Sequence, residues 1–154
     1  LPGGHGPCFN LTHSGELAVV GLAPDRELGV DVEQLRDVAD LQSIAARFFT
    51  PAEQVALLRF SPAARSRAFL DGWTRKEAVM KALGLGVAQP PESIEVSLEP
   101  GNALFRSLNG RPAPDWAMTG FAPGPDYTGA VAVRGPRPEL SFHDWSAEFF
   151  GGAT

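Results

Sequence analysis

The chain has 154 residues, 44% of them apolar, and carries 13 basic against 18 acidic side chains for a net charge of −5. That length suits one domain with a real core, and the acidic balance argues against a broad nucleic-acid-binding surface. One cysteine, Cys8, excludes an internal disulfide and fits a reducing cytoplasm, while no apolar run approaches membrane-spanning length and no signal peptide is visible.

The Gly/Pro-rich start, Leu1–Pro7, reads as a linker, and Leu1 in place of Met suggests processing or a cut from a longer protein. Three strands are expected next, at Phe9–Thr12, Leu17–Leu22 and Leu28–Glu33; the last alternates apolar and polar residues with the period of a half-buried strand. Asp40 is placed to cap a helix over Leu41–Phe48. Thr50-Pro51-Ala52-Glu53 predicts a capping box with proline at N1, opening a helix that runs to about Phe60. A long helix follows from about Ala64 to Leu83, with Phe69, Trp73, Ala78 and Met80 inward and Gly84 as its stop. The second half reads as strands at Ser93–Leu98, Ala103–Leu108, Trp116–Phe121 and Thr128–Val133, with Leu140–Trp145 as a last edge strand and 146–154 as a weakly ordered tail. The class is α+β: an antiparallel sheet with a central long helix.

The chemistry-bearing residues cluster in few places. The only two lysines, Lys76 and Lys81, lie in Trp73–Lys81, while the other positive charges are eleven arginines. An ammonium is a compact charge suited to a phosphate oxygen. Helical spacing puts Trp73, Glu77 and Lys81 on one face, where Glu77 and Lys81 read either as a solvated pair or as part of a site. Asp31 and Glu33 share one face of the third strand, with Val30 and Val32 on the other. Two carboxylates side by side suit Mg²⁺, which takes one or two of them plus phosphate; the same pair is ordinary on an exposed edge strand. His13, flanked by Thr12 and Ser14, reads either as a phosphate contact or as a turn histidine. Zinc is not indicated, for want of a Cys cluster or His-Glu-x-x-His.

Four segments in order resemble the surfactin-synthetase-type 4′-phosphopantetheinyl transferases. Phe9-Asn10-Leu11-Thr12-His13-Ser14-Gly15 resembles that family's F-N-[IL]-[ST]-H-S-G, and Gly29-Val30-Asp31-Val32-Glu33 its G-[IV]-D-[IV]-E. Phe48–Glu53 resembles F-F-[ST]-x-x-E, and Trp73–Lys81 with Gly84 and Gly86 resembles W-[ST]-x-K-E-[AS]-x-x-K-x-x-G-x-G. The resemblance implies Mg²⁺-dependent transfer of phosphopantetheine from coenzyme A to a carrier-protein serine, with release of adenosine 3′,5′-bisphosphate. It implies Asp31, Glu33 and Glu77 as metal ligands, Thr12, His13, Lys76 and Lys81 as coenzyme A contacts, and Glu77 and Lys81 as catalytic residues. The implied partner is an acyl or peptidyl carrier protein, with Arg36, Arg47 and Arg59 as docking residues. Members of this type have two similar lobes, and this chain resembles the second. The expected organisation is therefore a linker at 1–8, a lobe at 9–145 and a tail at 146–154. A non-catalytic coenzyme A-binding or carrier-docking lobe, completed by a second lobe or another copy, is the alternative.

Overall fold

In the computed structural model, residues 6–84 and 86–145 are described; the expectations for 1–5 and 146–154 lie outside them. Three helices and eight strands follow in the order β1 (Cys8–Ser14), β2 (Leu17–Ala23), β3 (Leu28–Gln34), α1 (Leu41–Phe48), α2 (Pro51–Leu58), α3 (Pro62–Leu83), β4 (Ile94–Val96), β5 (Phe105–Leu108), β6 (Arg111–Pro112), β7 (Trp116–Phe121) and β8 (Tyr127–Arg134). The α+β expectation holds, but the strands divide into three ladders: β1–β2, β3–β8–β7 and β4–β5–β6. All are antiparallel.

Alternation along β1 decides what its two faces do. Asn10, Thr12 and Ser14 point towards β3 and join it through side chains rather than a backbone ladder. The Val30 amide donates to Asn10 Oδ1 at 3.0 Å, and the Gln34 amide to Ser14 Oγ at 3.0 Å. The intervening residues point outward. Phe9 faces Leu22 and Leu11 faces Val20 across the hairpin, and these four remain 57–74% exposed. The turn between the strands passes through Gly15 at φ 57°, a left-handed conformation that suits glycine.

The middle ladder carries the core on both faces. Leu28, Val30, Val131 and Val133 cluster with Ala23 on one side. On the other side the long helix packs closely on small residues: Ala130 and Ala132 meet Ala78, Val79 and Ala82 of α3. Gly29 permits the closest approach, since a β-carbon there would overlap the Ala78 carbonyl and the Ala82 amide. The face carrying Asp31 and Glu33, expected on strand periodicity to be a polar surface, is therefore covered by α3. Its 22 residues span about 33 Å.

Polar ties fix α3 along its length. Asp71 is buried and accepts bonds from Arg67 and from the Thr128 hydroxyl of β8. Arg75, also buried, donates to the Ser97 carbonyl at 2.6 Å and the Glu99 carbonyl at 3.0 Å. Phe69 stacks on Phe49 with ring centroids 4.9 Å apart, and Trp73 meets Phe48 edge-on at 5.3 Å.

Several boundaries differ from expectation. The capping box at Thr50 forms with both of its bonds, but Asp40 adopts a left-handed conformation at φ 53° and its side chain makes no cap bond. α3 begins at Pro62 rather than Ala64. The Ser93–Leu98 strand shrinks to Ile94–Val96, because its neighbours have other work: Ser93 ends a 3₁₀ turn, and Ser97 binds Arg75. Leu140–Trp145 forms no strand among the described residues. Leu140 packs on the Val30 cluster and Phe142 on Phe121, so the segment docks by side chains without a ladder.

Gly29→Ala is expected to cost at least about 1–3 kcal/mol in urea denaturation, the usual range for overpacking, because both elements meet there through backbone.

Candidate functional site

The groove between β1, β3 and the Trp73–Glu77–Lys81 edge of α3 gathers most of the polar residues singled out from sequence. At its centre is Asp31, nearly buried. Its Oδ1 accepts from the Thr12 hydroxyl at 2.9 Å and from Lys81 Nζ at 2.8 Å. Lys81 also donates to the Val30 carbonyl at 3.1 Å. Asp31 Oδ2 is buried with no hydrogen-bond partner. Such an orphaned acceptor costs free energy in the absence of a ligand.

Glu33, one pleat along, is held differently. Its Oε2 accepts from Ser14 Oγ at 3.0 Å and from Arg36 Nη1 at 3.0 Å. Glu77, half-buried on α3, makes no hydrogen bond or ion pair with any described residue. The three acids nevertheless feel one another. Burial, then repulsion from Asp31 and Glu33, pushes the Glu77 carboxyl above the usual range despite attraction from Lys81. Burial raises Asp31 as well, against the opposing pull of Lys81 and Thr12. The groove thus concentrates hard oxygen donors whose charge is only partly compensated.

No group of three or more His, Cys, Asp or Glu side chains among the described residues is arranged to hold a metal ion as it stands. The donor chemistry still fits a hard cation of the magnesium type. Such an ion takes one or two carboxylates and fills its remaining positions with water and phosphate. The orphaned Asp31 Oδ2 and the unpartnered Glu77 carboxylate are the two donors left over for it. Two surface concavities lie elsewhere, one beside Leu41 and Arg65 and one beside Leu108 and Trp116, and neither contains these acids. Convergent charge, rather than hollow shape, identifies the site.

Not every expected residue reaches it. Lys76 is fully buried, with Nζ paired to Glu53 Oε2 at 2.7 Å and bonded to the carbonyls of Pro91 and Ile94. All three of its N–H groups are committed there, so its expected phosphate contact is withdrawn. Burial pulls its pKa down, opposed by Glu53. Glu53 in turn accepts from the Thr50 and Val96 amides, so the pair locks α2, α3 and β4 together. Breaking such a buried pair from one side typically costs about 3–5 kcal/mol. His13 is exposed on the face of β1 opposite Thr12 and Ser14 and does not join the Asp31 cluster. Thr12 joins it by donating to Asp31, which places it behind the carboxylate. Trp73 belongs to the aromatic cluster at the far end of the same helix face. Of the three arginines expected to dock a carrier, Arg36 is tied to Glu33, Arg47 lies 5.2 Å from the Phe48 ring, and Arg59 is exposed at the end of α2. Ser14 and Asn10 were not singled out, although the polar alternation Asn10–Thr12–Ser14 carries a readable signal of a strand zipped to its neighbour by side chains.

Comparison with known proteins gives matches in both sequence and fold. Residues 27–132 match the family model described as the 4′-phosphopantetheinyl transferase superfamily. The 4′-phosphopantetheinyl transferase HetI of Nostoc sp. is 38% identical over 130 residues, covering 84% of this chain and 53% of that protein. A putative 4′-phosphopantetheinyl transferase of Synechocystis sp. is 37% identical over 82 residues, covering 53% of this chain and 33% of that protein. Among solved structures, the ACPS–CoA complex of Chronobacterium ammoniagenes superposes with a TM-score of 0.52 at 22% identity, over 73% of this chain and 98% of that one. The chain spans about half the length, or less, of these curated relatives.

The raised Glu77 carboxyl has a stability consequence. The folded chain holds that proton more tightly than the unfolded chain, so stability falls as pH rises from the ordinary carboxyl pKa through the folded one. Glu77→Gln removes this penalty. It is expected to melt roughly 1–3 °C above the parent at pH 7, the half-exposed setting keeping the gain small. The difference should vanish near pH 4; thermal melts across pH check it.

Proposed function

This chain belongs to the 4′-phosphopantetheinyl transferase superfamily, and from that premise we propose that it transfers 4′-phosphopantetheine from coenzyme A to a serine of an acyl or peptidyl carrier protein. The observation that carries the reading is the Asp31–Lys81–Glu77 cluster, which combines an orphaned carboxylate oxygen, an unpartnered carboxylate and a partly exposed ammonium. The serine oxygen attacks the phosphorus that bears the pantetheine arm. The bond from that phosphorus to the bridging oxygen breaks, and adenosine 3′,5′-bisphosphate leaves.

Asp31, Glu33 and Glu77 are the residues proposed to hold Mg²⁺. When bound, that ion would polarise the phosphoryl group and offset charge developing on its oxygens. The Lys81 ammonium, 27% exposed, is within reach of a phosphate oxygen entering from its open side. In this reading it stabilises the leaving phosphate. Thr12 orients Asp31, and Ser14 with Arg36 orients Glu33. Glu77, whose oxygens are uncommitted, is proposed to help hold the ion, and the serine proton goes to its carboxylate or to a water beside it. His13, exposed at the end of β1, remains available to a further phosphate of coenzyme A. We place carrier docking on α1 and α2, which carry exposed Arg47, Val55 and Leu58, with exposed Arg59 at the end of α2. A cytoplasmic setting accords with the lone Cys8, and among the described residues no helix is long and apolar enough to cross a membrane.

A second reading rests on the outer face of the β1–β2 hairpin. Phe9, Leu11, Val20 and Leu22 form an exposed apolar patch, which suits cover by a second lobe or another copy. On that reading the chain binds coenzyme A or the carrier and becomes active only when completed, in the surfactin-synthetase-type two-lobe organisation.

Mass spectrometry of an apo carrier protein incubated with this chain, coenzyme A and Mg²⁺ tests the proposal. One added phosphopantetheine is expected, with the rate about 10²–10³-fold lower for Glu77→Ala, as for removal of a main electrostatic group. No transfer by this chain, with transfer by a longer protein containing it, would favour the second reading. No transfer by either would overturn both the catalytic assignment and the completed-lobe reading.

A further inference from the structure

We infer that Lys81 holds the place of the cation on Asp31 in the free chain, so that a divalent ion and a phosphate-bearing ligand enter the groove together and either alone binds weakly. This rests on the proposed metal site and adds a binding order to it.

The geometry makes the competition direct. Lys81 Nζ sits 2.8 Å from Asp31 Oδ1, and its second bond, to the Val30 carbonyl at 3.1 Å, holds it against β3. The Asp31 side chain is 9% exposed and that of Lys81 27%, so the pair is shielded from bulk screening on the carboxylate side and open on the ammonium side. An ion placed on the remaining Asp31 oxygen would share one carboxylate with an ammonium. The two like charges would stand a few ångströms apart in a partly dry groove, where repulsion is strong. The other charges facing this spot are Glu33 from β3 and Glu77 from α3, while β1 contributes the neutral Thr12. Arg36 repeats the arrangement one pleat away, bonded to Glu33 at 3.0 Å.

A phosphate changes the balance because it offers Lys81 a second anion on its open side. The flexible four-carbon stem lets the ammonium swing from carboxylate to phosphate oxygen, and Asp31 is then free for the divalent ion. Each ligand removes the cost that opposes the other, which by linkage appears as mutual tightening.

Mn²⁺ titration followed by the electron paramagnetic resonance of the free ion reads this directly, with and without coenzyme A. The parent chain is expected to bind Mn²⁺ weakly alone and at least tenfold more tightly with coenzyme A. Lys81→Gln should bind Mn²⁺ alone about tenfold more tightly than the parent, equivalent to about 1.4 kcal/mol, and should lose most of the gain from coenzyme A. Lys81→Met serves as a second neutral variant should Lys81→Gln fail to melt like the parent. Lys81→Arg keeps the charge and should stay within about twofold of the parent. Coenzyme A-dependent Mn²⁺ binding in the parent, with no gain for either neutral variant alone, would overturn the place-holding role and leave the metal site standing. Absence of Mn²⁺ binding in every form, with or without coenzyme A, would overturn both.

Discussion

The architecture depends on one close approach. α3 lies against β3 at a point where both elements present backbone, and Gly29 is what makes that distance attainable. The surrounding face follows the same rule, since Ala130 and Ala132 of β8 and Ala78 and Ala82 of α3 leave no bulk between sheet and helix. This contact sets how closely the side chains of the two elements approach. It brings Lys81 within 2.8 Å of Asp31 and leaves Glu77 near enough to two carboxylates to feel their charge. A larger residue at position 29 would act on the functional groups through the spacing of the elements that carry them.

Away from the groove, charge is used to hold the helix in place. The Glu53–Lys76 pair, Asp71 with Thr128, and Arg75 with the Ser97 and Glu99 carbonyls are buried and bonded. Buried charges in such a setting contribute little net stability against an apolar replacement, and their value lies in fixing one arrangement. Here they fix the rotation and height of α3, so that Trp73, Glu77 and Lys81 face the groove side in register. The groove charges are left incomplete by contrast. That incompleteness accords with the proposed role, because acids satisfied in advance would exclude a cation.

Much of this was legible from residue order, and the failures have physical causes. The Thr50 cap, the end of the long helix and the β7 bounds were readable because their signals are local: Thr50 with Glu53, Gly84 after Leu83, and turn residues flanking Trp116–Phe121. The pairing of Asp31 with Lys81 was foreseeable only through resemblance, because a fifty-residue separation carries no local signal. Lys76 was misassigned since it and Glu77 are neighbours in sequence that the helix turns about 100° apart, and which side is buried cannot be read without knowing what packs where. Leu140–Trp145 looked like a strand by composition, yet strand formation needs a ladder partner, and the segment found aromatic contacts first.

The central claim is that the β3–α3 groove receives a metal and the diphosphate of coenzyme A against Asp31, Glu77 and Lys81. Anomalous diffraction from crystals grown with Mn²⁺ and coenzyme A tests it most directly. The account predicts a manganese peak between the Asp31 and Glu77 carboxylates, with a diphosphate oxygen on it and Lys81 turned from Asp31 to phosphate. A peak elsewhere, or a diphosphate bound away from Lys81 with the Lys81–Asp31 pair intact, would contradict it.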